Sequence, residues 1–267
     1  MMKELVLLKL GGSSITKKAD NKFEMNEEVL NNSAKEIAQA LKEKEFNLIL
    51  ICGVGPFGHT NVKKYDLNNG IKTKNQEKGV EKTIQDCDFV ADKVIEALEK
   101  QKLKTRHLPG YWVCKHDNKK VIVYEIEDYE KALQRGEIPI TTGTMVKDKT
   151  LKWSVMSGDT SIAQITKQMK PQKIILGTDV DGIYTADPKI EKNAKLIKEI
   201  NKENLEEVIK MADKSKAIDV TGGMKGKLEK LAEQLNGNEA QIFNLLIPGN
   251  LKKALLGKEL NSTKIKL

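Results

Sequence analysis

Four mostly apolar runs in this chain each end in glycine. They are ELVLLKL at 4–10 before Gly11 and Gly12, FNLILI at 46–51 before the turn GVGPFGH at 53–59, IPITT at 138–142 before Gly143, and KIIL at 173–176 before the loop holding Gly177 and Gly182. Runs of this length and composition read as strands buried on both faces, the habit of parallel sheets. Between them lie segments of helical spacing. Val29, Ala34, Ile37, Ala40 and Leu41 recur on one side of 26–45, and Val80, Ile84, Cys87, Ala91, Val94, Ile95 and Leu98 recur three or four apart within 79–100. Shorter helical patterns cover 129–137, 156–169, 201–213, 224–235 and 251–257, and further strands read at 120–126 and 240–249. Strand and helix in alternation, with connections long enough for helices, predict an α/β fold: a mainly parallel sheet covered on both faces, three layers in all.

At 267 residues the chain is long enough for one large domain or two lobes around a substantial core. Forty-six basic residues against 38 acidic ones leave a net charge of +8, which favours anionic partners. Nucleic acid is not expected, because the lysines are scattered and aromatics for base stacking make up only 4% of the chain. Cys52, Cys87 and Cys114 show no metal-ligand spacing, and so sparse and odd a number points to a reducing compartment, the cytoplasm. No apolar stretch approaches the ~20 residues that cross a bilayer, so no membrane partner is expected. The opening MMKELVLLKLGGSS has no small-residue cleavage site and does not read as a signal peptide.

In parallel α/β sheets, ligands bind where the loops leave the carboxyl ends of the strands. Glycines there let main-chain N–H groups converge on an anion, and a following helix N-terminus adds partial positive charge. No Walker A pattern is present, which excludes an ordinary P-loop NTPase. Lys9 precedes the first glycine pair and can place its ammonium among phosphate oxygens, whereas Lys17 reads as a surface lysine. His59 closes the second turn and can donate a hydrogen bond to phosphate in either protonation state. Asp159 in SGDT reads either as a charge partner or as the N-cap of the helix starting near Thr160.

KLGGSSITKK at 9–18, SGDT at 157–160, TDVDGIYTADP at 178–188 and DVTGGMKGK at 219–227 together resemble the amino acid kinase superfamily, in its motif order and from the first strand almost to the end of the chain. Within it, the turn ending at His59, the stretch IDVTGGMKGK and the tail IFNLLIPGNLKKALLGKELNSTKI are most similar to the isopentenyl phosphate kinases, with fosfomycin kinase a near relative. The resemblance implies an amino acid kinase or carbamate kinase-like αβα sandwich. It implies a single domain over 1–267, with a lobe at 1–170 for the phosphate acceptor and a lobe at 171–267 for ATP.

The activity implied is transfer of a phosphoryl group from ATP, with Mg²⁺, to a small monophosphate, isopentenyl phosphate foremost. A small phosphonate such as fosfomycin is the alternative acceptor, and a nonenzymatic nucleotide-binding or storage protein is the alternative of another class. By resemblance, Lys9 bridges the donor and acceptor phosphates, Lys227 stabilises charge on the transferring group, Lys18 lies near the ATP phosphates, and Asp159 organises Lys9 and Lys227. Gly11, Gly12, Gly53, Val54, Gly55, Phe57, Gly58, His59 and Gly158 are the expected acceptor site. Thr178, Asp179, Asp181, Gly182, Tyr184, Asp187, Gly222, Gly223 and Lys225 are expected around the nucleotide, with Lys189 reaching for a phosphate. A homodimer is the implied assembly. The chain departs from the isopentenyl phosphate kinase pattern at Val54, in place of a middle glycine, and at Cys87, Asp88, Thr144 and Thr160. Val54 is expected to turn one main-chain N–H away from the phosphate, because a β-branched residue avoids positive φ.

Overall fold

Strand β1 (Leu5–Leu10) lies near the middle of an eight-stranded sheet, flanked by β4 (Asn47–Cys52) and β11 (Lys173–Thr178), both parallel to it. This computed structural model describes residues 3–19, 22–186, 188, 190–214, 235 and 237–266. Beyond β4 come β8 (Ile138–Thr142) and the edge strand β5 (Thr105–His107). Beyond β11 come β13 (Glu239–Asn244), β14 (Ser262–Lys266) and β12 (Glu199–Asn201). Every neighbouring pair is parallel except β13 with β14. The fold is therefore the expected α/β sandwich with a mainly parallel sheet.

Side chains alternate along a strand, and β1 shows what each face meets. Val6, Leu8 and Leu10 join a buried cluster with α2 (Glu27–Glu43), α4 (Lys74–Lys100) and α9 (Asn250–Leu256). Leu5 and Leu7 face a second cluster that includes Tyr129 of α6 (Glu127–Gln134), Ile162 and Ile165 of α7 (Gly158–Met169), and Val208 of α8 (Leu205–Lys214). Lys9 shares that second face. Its direction is set by the period of the strand, and it leads to the start of α7.

Two smaller sheets were not expected as sheets, although the strand expected at 120–126 is present at Lys120–Tyr124. A hairpin joins β2 (Thr16–Ala19) to β3 (Lys22–Met25), and β6 (Cys114–Asp117), β7 (Lys120–Tyr124), β9 (Thr144–Asp148) and β10 (Lys152–Met156) form a four-stranded sheet in the order β10-β9-β6-β7. Asp148 holds the second assembly together: its carboxylate accepts backbone N–H groups from Asn118, Lys119, Thr150 and Leu151 at 2.8–3.0 Å. Burial raises its pKa, but the N–H groups of Leu151, Lys119 and Asn118 and the Ser154 hydroxyl outweigh that and bring it down to about 2.

The helix expected from Gly79 begins five residues earlier, at Lys74. Thr73 and Gln76 form a reciprocal capping box there. Segment 60–80 is consequently the end of α3 (Pro56–Lys64), a 3₁₀ turn at Leu67–Asn69 and the first turns of α4. The helix expected at 224–235 lies outside the described residues apart from Leu235.

Candidate active site

The four glycine turns stand side by side, because β11, β1, β4 and β8 are consecutive in the sheet and parallel. Gly11 N–H donates to Gly177 O and Gly53 N–H donates to Leu10 O, each at 2.8 Å. The first two turns touch backbone to backbone: a Cβ on Gly12 would fall 2.4 Å from Gly55 N, and one on Gly53 would fall 2.3 Å from Gly12 N. No side chain fits at either position. Thr16 closes the first turn by donating to Gly12 O at 2.6 Å.

Left-handed backbone in the second turn falls on Gly55 (φ 51°), while Val54 is not among the described residues with positive φ. The expected misdirection at Val54 therefore has no backbone strain behind it. Its cost is taken four residues later: Val54 Cγ2 occupies the space that a Cβ on Gly58 would need, at 2.6 Å. Pro56 opens α3 at its first turn, and His59, exposed, follows on that helix with its N–H on Gly55 O at 3.3 Å.

Across the turn, Asp159 Oδ1 accepts from Lys9 Nζ. Asp159 sits in the first turn of α7, but it is not the cap. Ser157 is, accepting from Thr160 N–H at 3.1 Å. That frees the Asp159 carboxylate to reach Lys9, and the helix N-terminus favours its charge. Gly158, one residue before Asp159, lies beside Lys9, whose Cε is 4.0 Å from where its Cβ would be.

Below this charged rim opens a cavity of about 460 Å³. Lys9, Gly12, Gly53, Val54, Gly55, Gly58, His59, Gly158 and Asp159 line it, and Val62, Cys87, Met145, Val155 and Met156 contribute apolar walls. Gly11 does not line it, and Phe57 packs in a row with Phe23 and Phe89 (centroids 6.1 and 5.6 Å). Cys87 and Thr144 are lining residues, whereas Asp88 is not. Burial pushes the Cys52 and Cys87 thiols up to about 12, so both stay neutral at physiological pH.

The loop after β11 is braced rather than loose. Asp179 accepts from Ser13 Oγ at 2.9 Å, tying it to the first glycine turn. Asp181 accepts from Asn244 Nδ2 at 3.1 Å and from Tyr184 OH at 3.3 Å. Thr178 Oγ1 accepts from Val180 N–H at 3.1 Å, and Gly182 lies against Thr263, whose Oγ1 accepts from Ile183 N–H at 2.8 Å. Burial first, and Asp181 second, raise the Tyr184 hydroxyl pKa. Ser13, Ser157, Asn244 and Thr263 were not singled out by the sequence. Ser157 was legible as a serine just ahead of a helix, and Ser13 as a hydroxyl in the glycine turn. Asn244 and Thr263 reach the loop only through the sheet. Asp187, Lys189, Gly222, Gly223, Lys225 and Lys227 lie outside the described residues, as does the side chain of Lys18.

An ion pair at the head of an apolar cavity, ringed by strand-end glycines, suits a ligand with an anionic head and an apolar body. Residues 4–244 match the family model of the amino acid kinase family, and the chain belongs to that family. Its similar relatives include isopentenyl phosphate kinases. That of Methanothermobacter thermautotrophicus is 32% identical and that of Methanocaldococcus jannaschii is 30% identical, each alignment covering 98% of both chains. A solved isopentenyl phosphate kinase structure superposes with a TM-score of 0.80 at 28% identity, over 98% of this chain and 100% of that one. UMP kinase from Ureaplasma parvum, at a TM-score of 0.68 and 18% identity over the full length of both, shares the fold.

Proposed function

We propose that this protein is an ATP-dependent isopentenyl phosphate kinase. The carrying observation is the Lys9–Asp159 pair set at the head of a cavity whose remaining walls are largely apolar. Phosphate belongs at the rim and a short hydrocarbon tail below it.

Transfer between two phosphates needs positioning and charge neutralisation more than covalent help from the protein. A phosphate oxygen of the acceptor attacks the γ-phosphorus of ATP in line. The bond from that phosphorus to the β–γ bridging oxygen breaks, and isopentenyl diphosphate and ADP leave. In this reading the turn Gly53–Gly58 and His59 hold the acceptor phosphate, with Gly158 allowing close approach. Lys9, aimed by Asp159, spans the acceptor and the transferring group. ATP lies over the carboxyl ends of β11 and β13, against Thr178, Asp179, Asp181, Gly182 and Tyr184. Lys18, Lys225, Lys227, Gly222, Gly223 and Asp187 join it there on the strength of the family motif.

Mg²⁺ would neutralise charge on the ATP phosphates. Among the described residues no group of three or more His, Cys, Asp or Glu side chains is placed to hold a metal, and Asp159 is engaged by Lys9. That donor set fits a hard ion carried by phosphate oxygens and water.

The acceptor lobe at 1–170 and the nucleotide lobe at 171–267 follow from this placement. The homodimer is supported by Phe89 and Trp112, two large hydrophobic side chains that stay exposed. A reducing compartment agrees with three free, buried cysteines.

The test is ADP release with isopentenyl phosphate, dimethylallyl phosphate, fosfomycin and UMP offered in parallel. Isopentenyl phosphate should give the highest kcat/KM. Preference for fosfomycin or UMP would overturn the acceptor, and ATP binding without turnover of any of them would overturn the kinase.

A further inference from the structure

The wall of the acceptor cavity includes Cys87 on α4 and Thr144 and Met156 from the small sheet. Directly behind it sits α5 (Gly110–Val113). Gly110 packs so closely that a Cβ there would fall 2.4 Å from Met156 Cε and 2.9 Å from Thr144 Cγ2. The next residue, Tyr111, donates its hydroxyl to Asp88 Oδ2 at 3.0 Å. Asp88 immediately follows Cys87. One side-chain hydrogen bond thus ties the helix pressing on the wall to the helix that carries another part of it.

The chemistry of the bond is well defined. Burial, followed by Asp88, pushes the Tyr111 hydroxyl up to about 12, so it remains a donor across the physiological range. Asp88 Oδ1 is buried with no hydrogen-bond partner among the described residues, and His107 Nε2, 3.9 Å away, is in the same position. Tyr111 is accordingly the hydrogen-bond partner that holds the Asp88 carboxylate in place. Neither Asp88 nor Tyr111 lines the cavity.

We propose that the Tyr111–Asp88 hydrogen bond is a latch that sets the depth of the acceptor cavity, holding Gly110 against Thr144 and Met156 while fixing Cys87 on the opposing helix. This rests on reading the cavity as the acceptor site. Tyr111 and Asp88 are positioning residues, since they act on the acceptor only through the wall. Opening the latch loosens the grip on the acceptor tail and leaves the Lys9–Asp159 pair and the nucleotide loop as they are.

Tyr111→Phe removes the hydroxyl and keeps the ring. Steady-state kinetics should show the KM for isopentenyl phosphate rising about three- to tenfold, the scale of one hydrogen bond, with kcat and the KM for ATP within about twofold of wild type. Asp88→Asn retains an oxygen for Tyr111 and should remain near wild type. Asp88→Leu should match Tyr111→Phe, and the two combined should be no worse than either. A second readout needs no turnover: N-ethylmaleimide labelling followed by mass spectrometry should find Cys87 modified roughly tenfold faster in Tyr111→Phe, with Cys52, which lines the same cavity from the glycine-turn end of β4, unchanged. Faster Cys87 labelling in a protein that ignores isopentenyl phosphate would uphold the latch and remove only the acceptor assignment. An unchanged acceptor KM together with unchanged Cys87 labelling overturns the proposal. So does equal acceleration at Cys52 and Cys87, or a parallel rise in the ATP KM, because either marks general loosening.

Discussion

Lys9 and Asp159, 150 residues apart in the chain, pair where β1 ends and α7 begins. The strand's alternation turns Lys9 toward α7, and the Ser157 cap leaves the Asp159 carboxylate free to meet it. Asp159→Asn keeps the shape and removes the charge that aims Lys9. It should lower kcat about 10²-fold, in the range for losing one preorganised electrostatic contact, with the ATP dissociation constant little changed. Single-turnover kinetics beside nucleotide titration separates the two effects.

Gly12 and Gly53 approach through their backbones, and the contact leaves no room for a methyl group. Gly12→Ala should destabilise the protein by about 1–3 kcal/mol through overpacking, read as a lower urea midpoint, and should abolish acceptor binding together with that loss. Gly136→Ala is the comparison. Its Cβ meets nothing within 4 Å, but φ is 68° there, so it should cost stability through backbone strain alone and leave acceptor affinity intact.

His59 stands on the cavity rim, one turn into α3. His59→Ala should reduce turnover sharply while ATP binding persists. His59→Asn, which retains a donor, should recover part of the activity. Equal turnover by wild type and His59→Ala would remove His59 from the mechanism.

Asp148 gives the protein an acid-sensitive joint far from phosphate chemistry. Its folded pKa, about 2, lies below the 3.8 of a free carboxyl. The stability it contributes is therefore complete above about pH 4 and is lost as pH falls toward 2. Asp148→Asn should cost about 1–3 kcal/mol at pH 7, the penalty for backbone donors left poorly paired. The gap from wild type should narrow between pH 4 and 2, as followed by urea unfolding across that range.

The strands and glycine turns that build the site were legible because each strand is a nearly unbroken apolar run ending in glycine, as β1 and β4 show. The small sheet was legible only at β7, where KVIVYEI reads as a strand. Strand β6 is four residues long and half exposed, so CKHD carries too few apolar positions to declare a period, and no local pattern shows which strands pair in the order β10-β9-β6-β7. The start of α4 was readable in principle from Thr73 and Gln76 three residues on, a signal that outweighs the apolar pattern beginning at Gly79. Roles within SGDT depended on which residue capped the helix, a one-residue question that tertiary contact with Lys9 decides. Contacts such as Asn244 with Asp181 join residues 63 apart, and local pattern cannot show them.

Phosphorus NMR of wild type and Lys9→Ala, each mixed with ATP, Mg²⁺ and isopentenyl phosphate, tests the central claim most directly. Wild type should consume the γ-phosphorus signal and produce one acceptor diphosphate per ADP, and Lys9→Ala should do so at least about 10²-fold more slowly. Diphosphate formed equally fast without the Lys9 ammonium, or ATP left intact by wild type with the acceptor present, would contradict it.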